Sequence, residues 1–190
     1  MGICYIFFDV SVNQIYLTDM EEIVNRIAKS GIVNIDLDSY FPSEPILPFD
    51  IKDWLWQGLV LKEKDFRERL ENFDFQTFNN SIVTIFCSAD AIVPFWAFML
   101  LAVKLQPIAK EVAYGTMEEY LAKHYAKEIS KLNPLDFTDK RVIIKGCGDY
   151  PVPVSAYVEI TSLLRPYATS IMYGEPCSTV PVYKRKAVTA

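Results

Sequence analysis

Ile82-Val83-Thr84-Ile85-Phe86-Cys87 opens a stretch that occurs twice in this chain. The second copy opens as Val142-Ile143-Ile144-Lys145-Gly146-Cys147. A constant separation of 59 residues relates matching positions in the two copies, as in the pairs Asp90 and Asp149, Pro94 and Pro153, Pro107 and Pro166, and Tyr114 and Tyr173. Such a constant separation over a long stretch indicates an internal duplication.

Each copy contains the pattern of a helix, a strand, a second helix and a short strand. The copies span residues 62–115 and 121–174. Apolar residues recur at helical intervals in the first part of each copy, and Thr116-Met117-Glu118-Glu119 supplies a capping box for the second. The long helices are predicted to end or kink at Pro107 and Pro166, because proline in a helix interior removes a hydrogen bond and clashes with the preceding turn.

Strands that alternate with helices of this length predict an α/β fold, with a mainly parallel sheet and helices on both faces. The apolar strands 82–86 and 142–144 are typical of central positions that are buried on both sides. Val180 to Tyr183 predicts an edge strand, where Pro181 is tolerated. Asp50 is predicted to cap a short helix through Trp54.

The length of 190 residues suits one domain, which we expect to span residues 20–190. Residues 1–19 differ from the rest and form a doubtful N-terminal extension. Thr18-Asp19-Met20-Glu21 reads as a capping box that opens a helix. Alternatively, Met20 is the true start and the box is a coincidence.

The apolar run from Ala91 to Val103 is too short to span a bilayer, which takes roughly 20 apolar residues, and Asp90 and Lys104 bound it. We therefore expect a buried helix there and no membrane association. A net charge of -5 argues against nucleic-acid binding, which needs a basic surface. No basic residue precedes Arg26, so a secretory signal is not expected and a cytoplasmic location is.

Three of the four cysteines follow predicted strands. Ligands of α/β sheets bind outside the carboxyl ends of the strands, where Cys87 and Cys147 fall and which Cys177 can reach from the last loop. Thiolates bind metals, so Cys87, Cys147 and Cys177, with Asp90 or Asp149, form a candidate site for an iron–sulfur cluster or zinc.

Other interpretations of these residues remain open. No Cys-x-x-Cys pair occurs, and small thiols also pack at strand ends. The two copies are offset here, since Cys87 aligns with Gly146 rather than with Cys147. Asp90 and Asp149 do align, and capping or turn formation is an alternative to metal ligation for both.

A catalytic thiol would need a nearby base. His124 is the only histidine, and it neighbours the core-facing Tyr125 on a predicted helix. Because adjacent helical positions point in different directions, His124 is predicted to be a surface or boundary residue. Gly146-Cys147-Gly148 lacks the spacing of a dinucleotide-binding loop.

Several motifs resemble a bacterial family of proteins of unknown function over about residues 20–186. They are residues 50–55, residues 87–94, Lys145-Gly146-Cys147 with Pro151-Val152-Pro153, and residues 170–181. The resemblance carries no established activity. Members tend to be encoded near iron–sulfur assembly genes, so the resemblance implies iron–sulfur assembly proteins as partners.

The sequence thus yields three functional hypotheses. The first is a cytoplasmic protein that binds or handles an iron–sulfur cluster or metal through the three loop cysteines. The second is an interaction or scaffold module whose cysteines are structural. The third is a thiol enzyme, which would need one cysteine to be unusually reactive at neutral pH.

Overall fold

The structure is a computed structural model that describes residues 31–146 and 148–186. The predictions for residues 1–19, for the capping box at residues 18–21 and for Cys147 therefore lie outside the described residues. No helix within the described ranges is long and apolar enough to cross a membrane.

Strands and α-helices alternate strictly from residue 46 to residue 175, as the α/β prediction requires. The strands are β1 (Ile32–Asp36), β2 (Ile46–Asp50), β3 (Ile82–Phe86), β4 (Glu111–Tyr114), β5 (Arg141–Lys145), β6 (Ser170–Glu175) and β7 (Ser178–Lys184). The α-helices are α1 (Glu63–Asn72), α2 (Phe95–Leu105), α3 (Met117–Ser130) and α4 (Val154–Leu164). Single 3₁₀ turns lie at Leu37–Tyr40, Ile51–Trp54, Phe75–Phe78 and Pro134–Phe137.

The described strands form two sheets rather than the single sheet expected from the sequence. One has the order β1-β5-β6-β7 and the other the order β2-β3-β4. All pairings are parallel except that of β6 with β7, so the mainly parallel character is confirmed. The prediction of a single sheet is wrong because β3 pairs with β2, whereas β5 pairs with β1.

The described residues divide into two compact units, each of which holds one sheet. Unit 1 comprises residues 31–36, 133–146 and 161–186, and unit 2 comprises residues 37–132 and 148–160. β3 and β5, which are interior strands of the two sheets, each have at least three consecutive buried residues.

Unit 2 is built around an aromatic and aliphatic core. Phe66 of α1 is almost fully buried, and its ring makes T-shaped contacts with two tryptophan rings, Trp54 at 5.5 Å and Trp96 at 5.9 Å between centroids. Buried residues of α2, namely Ala97, Leu101 and Leu105, belong to the same cluster. These contacts hold α1 and α2 against the β2-β3-β4 sheet.

The helix ends agree with the sequence predictions. Thr116 and Glu119 form the predicted capping box at the start of α3. Asp50 caps the 3₁₀ turn at Ile51–Trp54 by accepting a hydrogen bond from the Lys52 backbone N–H. α2 ends two residues before Pro107, and α4 ends two residues before Pro166.

Thr84, in the middle of β3, is fully buried, and its hydroxyl has no hydrogen-bond partner among the described residues. Valine has nearly the same shape and no polar atom to desolvate. We therefore expect Thr84→Val to raise the free energy of unfolding by about 1 kcal/mol, as measured by urea denaturation.

The control for this prediction is Thr116→Val, because that threonine caps α3 and its hydroxyl accepts a hydrogen bond from the Glu119 N–H. Loss of the cap is expected to lower stability by about 1 kcal/mol. A destabilised Thr84→Val variant would contradict the assignment of a costly buried hydroxyl in β3.

Candidate functional site

The carboxyl end of the β2-β3-β4 sheet is organised by Asp50. One carboxylate oxygen accepts backbone N–H bonds from Lys52 at 2.9 Å and Ser88 at 3.0 Å, and the other accepts the Ser88 hydroxyl at 2.5 Å. Burial acts to raise the pKa of Asp50, but these hydrogen bonds outweigh it and lower the pKa. Asp50 therefore ties β2 to the loop after β3, which is a structural role.

Cys87 lies in that loop and is half-buried. Its Sγ donates a weak hydrogen bond to the Ala89 carbonyl at 3.7 Å, within its own loop. Asp90 and Asp149 are both exposed. Asp90 does not cap α2, because Pro94 occupies the N-cap position and no side chain bonds to that helix end.

Cys177 lies at the exposed tip of the two-residue turn that joins β6 to β7. Gly174 precedes the turn with a φ of +115°, and a Cβ there would lie 2.5 Å from the Ser178 carbonyl oxygen, so the hairpin requires glycine. Nearby, the Lys145 ammonium pairs with Asp36 at 2.8 Å and with Glu175 at 3.7 Å.

The prediction of an iron–sulfur or metal site through Cys87, Cys147 and Cys177 is wrong. No group of three or more histidine, cysteine, aspartate or glutamate residues in residues 31–146 and 148–186 is arranged to hold a metal. The reason is the division into two sheets, which assigns Cys87 to unit 2 and Cys177 to unit 1. The iron–sulfur assembly partners implied by the family resemblance stay a prediction.

Helix α2 has an exposed apolar side, although the sequence predicts a buried helix there. Phe95, Met99 and Val103 follow one another at intervals of four residues and are 86%, 68% and 69% exposed. Ile92, just before the helix, is 92% exposed, and Tyr114 of β4 is 66% exposed. These five residues are called the α2 face below.

An aromatic contact links Tyr114 of β4 to helix α2, because the rings of Tyr114 and Phe98 meet edge to face at 5.3 Å between centroids. A helix that is apolar on all sides is normally buried on all sides. An exposed apolar surface made of several neighbouring side chains marks an interaction site. The α2 face is therefore a candidate functional surface.

A second candidate lies near the amino ends of β3 and β4, where a cavity of about 340 Å³ is bordered by α3 and by the turn at residues 39–44. His124 is half-buried and lines this cavity, and its Nε2–H donates to the Tyr40 carbonyl at 2.9 Å. Tyr120 donates its hydroxyl hydrogen to Glu111 at 3.1 Å. This arrangement is called the His124 cavity below.

The His124 cavity was missed by the sequence reasoning, which predicts only a surface or boundary position for that residue. His124 does lie at the boundary, but the turn at residues 39–44 covers its ring. No local signal in the sequence indicates that this turn, which lies far earlier in the chain, packs against α3.

Comparison with known proteins identifies a family but no activity. Residues 21–185 match a family model described as "Protein of unknown function (DUF2480)". The chain therefore belongs to that family, and the resemblance to a family of unknown function is confirmed. No curated protein and no solved structure matches the chain.

Proposed function

We propose that this member of a family of unknown function is a self-associating interaction module, whose α2 face binds the same face of a second copy. The observation that carries the proposal is the exposure of Phe95, Met99 and Val103 along one side of α2, whose opposite side is buried through Ala97, Leu101 and Leu105. Isolated exposed apolar residues are common, but a continuous stripe on a helix is not.

The size of the α2 face suits a stable interface. At about 200 Å² for each fully exposed large side chain, the exposures of its five residues amount to roughly 750 Å². A specific protein–protein interface of standard size buries about 800 Å² on each partner. The face alone thus supplies nearly the area that one partner of a dimer contributes.

The charge distribution at the α2 face does not oppose a second copy as the occupant. The chain carries a net charge of -5, so two copies repel each other wherever acidic surfaces meet. A two-fold symmetric contact places each residue near its own counterpart. Residues 91–103 contain no charged side chain, so this surface brings the copies together without facing like charges.

The proposal extends to the origin of the scaffold, which we attribute to an internal duplication. α2 (Phe95–Leu105) and α4 (Val154–Leu164) have the same length and begin 59 residues apart, as β3 and β5 do. Exposed apolar residues recur at matching positions, since Val154 and Val158 of α4 correspond to Phe95 and Met99 and are also exposed.

Backbone geometry supports the same origin. Asn80 and Asp139, which are 59 residues apart, both have a positive φ, of 54° and 58°. Each donates its backbone N–H to the loop after the following helix, to Ile108 at 3.3 Å and to Tyr167 at 3.1 Å respectively. The placement of helices on both faces of a sheet stays a prediction.

Oxidation of methionine tests the proposed interface at the level of one residue. Met99 is accessible in the monomer and is expected to be covered in the dimer, so peroxide should oxidise it several-fold more slowly at high protein concentration than at high dilution. Met117, which is 40% exposed and lies on α3, is the control and should show no such dependence. Equal rates for Met99 at both concentrations would contradict the proposal.

A further inference from the structure

We propose that the His124 cavity binds a small organic cation, a protonated primary amine, between aromatic walls and glutamate carboxylates. The inference is independent of self-association, because it rests on a different set of side chains. Nothing in the family description assigns a ligand to this cavity.

The cavity has an excess of carboxylates. Glu44, Glu111 and Glu128 line it, and Lys110 is the only lysine or arginine among the described residues that do so. Lys110 forms an ion pair with Glu44 and so neutralises that carboxylate. Glu128 pairs with Lys131, which is not part of the lining. Glu111 accepts a hydrogen bond from the Tyr120 hydroxyl, and no described lysine or arginine forms an ion pair with it.

The negative potential reaches the buried ring of Tyr120. Burial raises the pKa of that hydroxyl first, and the charges of Glu111, Glu44 and Glu128 raise it further. The same carboxylates that disfavour a tyrosinate anion favour a bound cation. The pKa of Tyr40 is raised as well, first by burial and then by the charge of Glu128.

Aromatic rings supply the rest of the recognition. Tyr40, Phe41 and Tyr120 line the cavity, and the faces of such rings attract cations. Phe41 is fixed in place by stacking on Tyr150 at 4.4 Å between ring centroids. An ammonium group can donate hydrogen bonds to Glu111 while the faces of the neighbouring rings attract its charge. A quaternary amine lacks these donors and fits less well.

His124 acts as a positioning residue. Because a carbonyl oxygen can only accept, the bond to Tyr40 shows that Nε2 carries a hydrogen, and it ties the turn at residues 39–44 to α3. Its ring also lies 5.8 Å from that of Tyr120. The cavity volume of about 340 Å³ is at the small end of the range for ligand pockets, which indicates a small ligand.

The test is an NMR titration of the full chain with n-butylammonium chloride. The chain has one histidine, so its imidazole proton resonances report on the cavity without ambiguity. We expect saturable shifts of the His124 resonances with n-butylammonium and none with sodium butyrate or with sodium chloride at the same ionic strength.

Single glutamate substitutions connect the binding to the cavity carboxylates. Glu111→Gln is expected to weaken n-butylammonium binding about tenfold, and Glu118→Gln, an exposed glutamate on the same helix as His124, is expected to leave it unchanged. Glu128→Gln serves as a second cavity variant if Glu111→Gln does not fold, as judged by circular dichroism. The proposal is overturned if His124 does not respond to n-butylammonium, or if Glu118→Gln weakens binding as much as the cavity variants do.

Discussion

Replacing Phe66 with alanine is expected to lower the free energy of unfolding by about 3 to 5 kcal/mol. Phe66 is 1% exposed, and its ring fills the space between Trp54 and Trp96 in the core of unit 2. Truncation removes the buried ring and leaves a cavity whose walls are two large rigid indoles, which close it only in part. The loss is a large share of a typical domain stability of about 5 to 15 kcal/mol.

Urea denaturation followed by circular dichroism measures this loss. Phe66→Leu is the matched control, because leucine keeps much of the volume, and it is expected to cost no more than about half as much. If the free energy of unfolding of Phe66→Ala lies within about 1 kcal/mol of that of the unaltered protein, the packing of α1 against the two tryptophans does not stabilise unit 2 as described.

The substitution Met99→Glu is expected to raise the dissociation constant of the proposed dimer at least a hundredfold. Each copy loses a buried methionine, worth about 1.5 to 3 kcal/mol, and the two-fold contact applies that loss twice. A tenfold change in affinity corresponds to about 1.4 kcal/mol. In addition, each new carboxylate lies in an apolar surface that carries no compensating charge.

Leu135→Glu is the matched control, since Leu135 is an equally exposed apolar residue, at 64%, and lies in a 3₁₀ turn of unit 1. It introduces the same charge and should leave the mass in solution unchanged. Sedimentation velocity of both variants separates the outcomes. A dimer that persists in Met99→Glu, or that is lost equally in Leu135→Glu, would show that the α2 face is not the interface.

The local structure of this chain could be predicted from its sequence because its determinants are local. The strand at residues 82–86, the capping box at Thr116 and the proline-bounded end of α2 depend on residues that are neighbours in sequence. The edge position of β7 follows from Pro181, which lacks a backbone N–H. Short-range chemistry fixes these features wherever the element lies in the fold.

The division into two sheets could not be predicted in this way. β1 and β2 are both five-residue strands that begin with two apolar residues and end with an aspartate, and nothing in their composition indicates that β1 pairs with β5 and β2 with β3. Strand order depends on pairing between distant segments, whereas apolar periodicity reports only on local structure. The prediction of a common cysteine site was wrong for the same reason, because it assumed that the strands before the cysteines end at one shared sheet edge.

The candidate site shows two further limits of the sequence. The run 91–103 is apolar on every side, so its periodicity has too little contrast to separate the buried side of α2 from the exposed one. His124 acquires its surroundings from Tyr40 and the turn at residues 39–44, which are remote in sequence. In the α2 face and in the His124 cavity, tertiary packing determines which side chains are covered and which are exposed, and so which residues form the candidate site.

The most direct test of self-association is the mass of the unaltered protein in solution. One chain has a mass of 21.8 kDa. Sedimentation equilibrium over a series of concentrations is expected to give twice that mass at high concentration, with dissociation on dilution. A mass of one chain at every concentration up to the millimolar range would contradict the proposal that the α2 face binds a second copy.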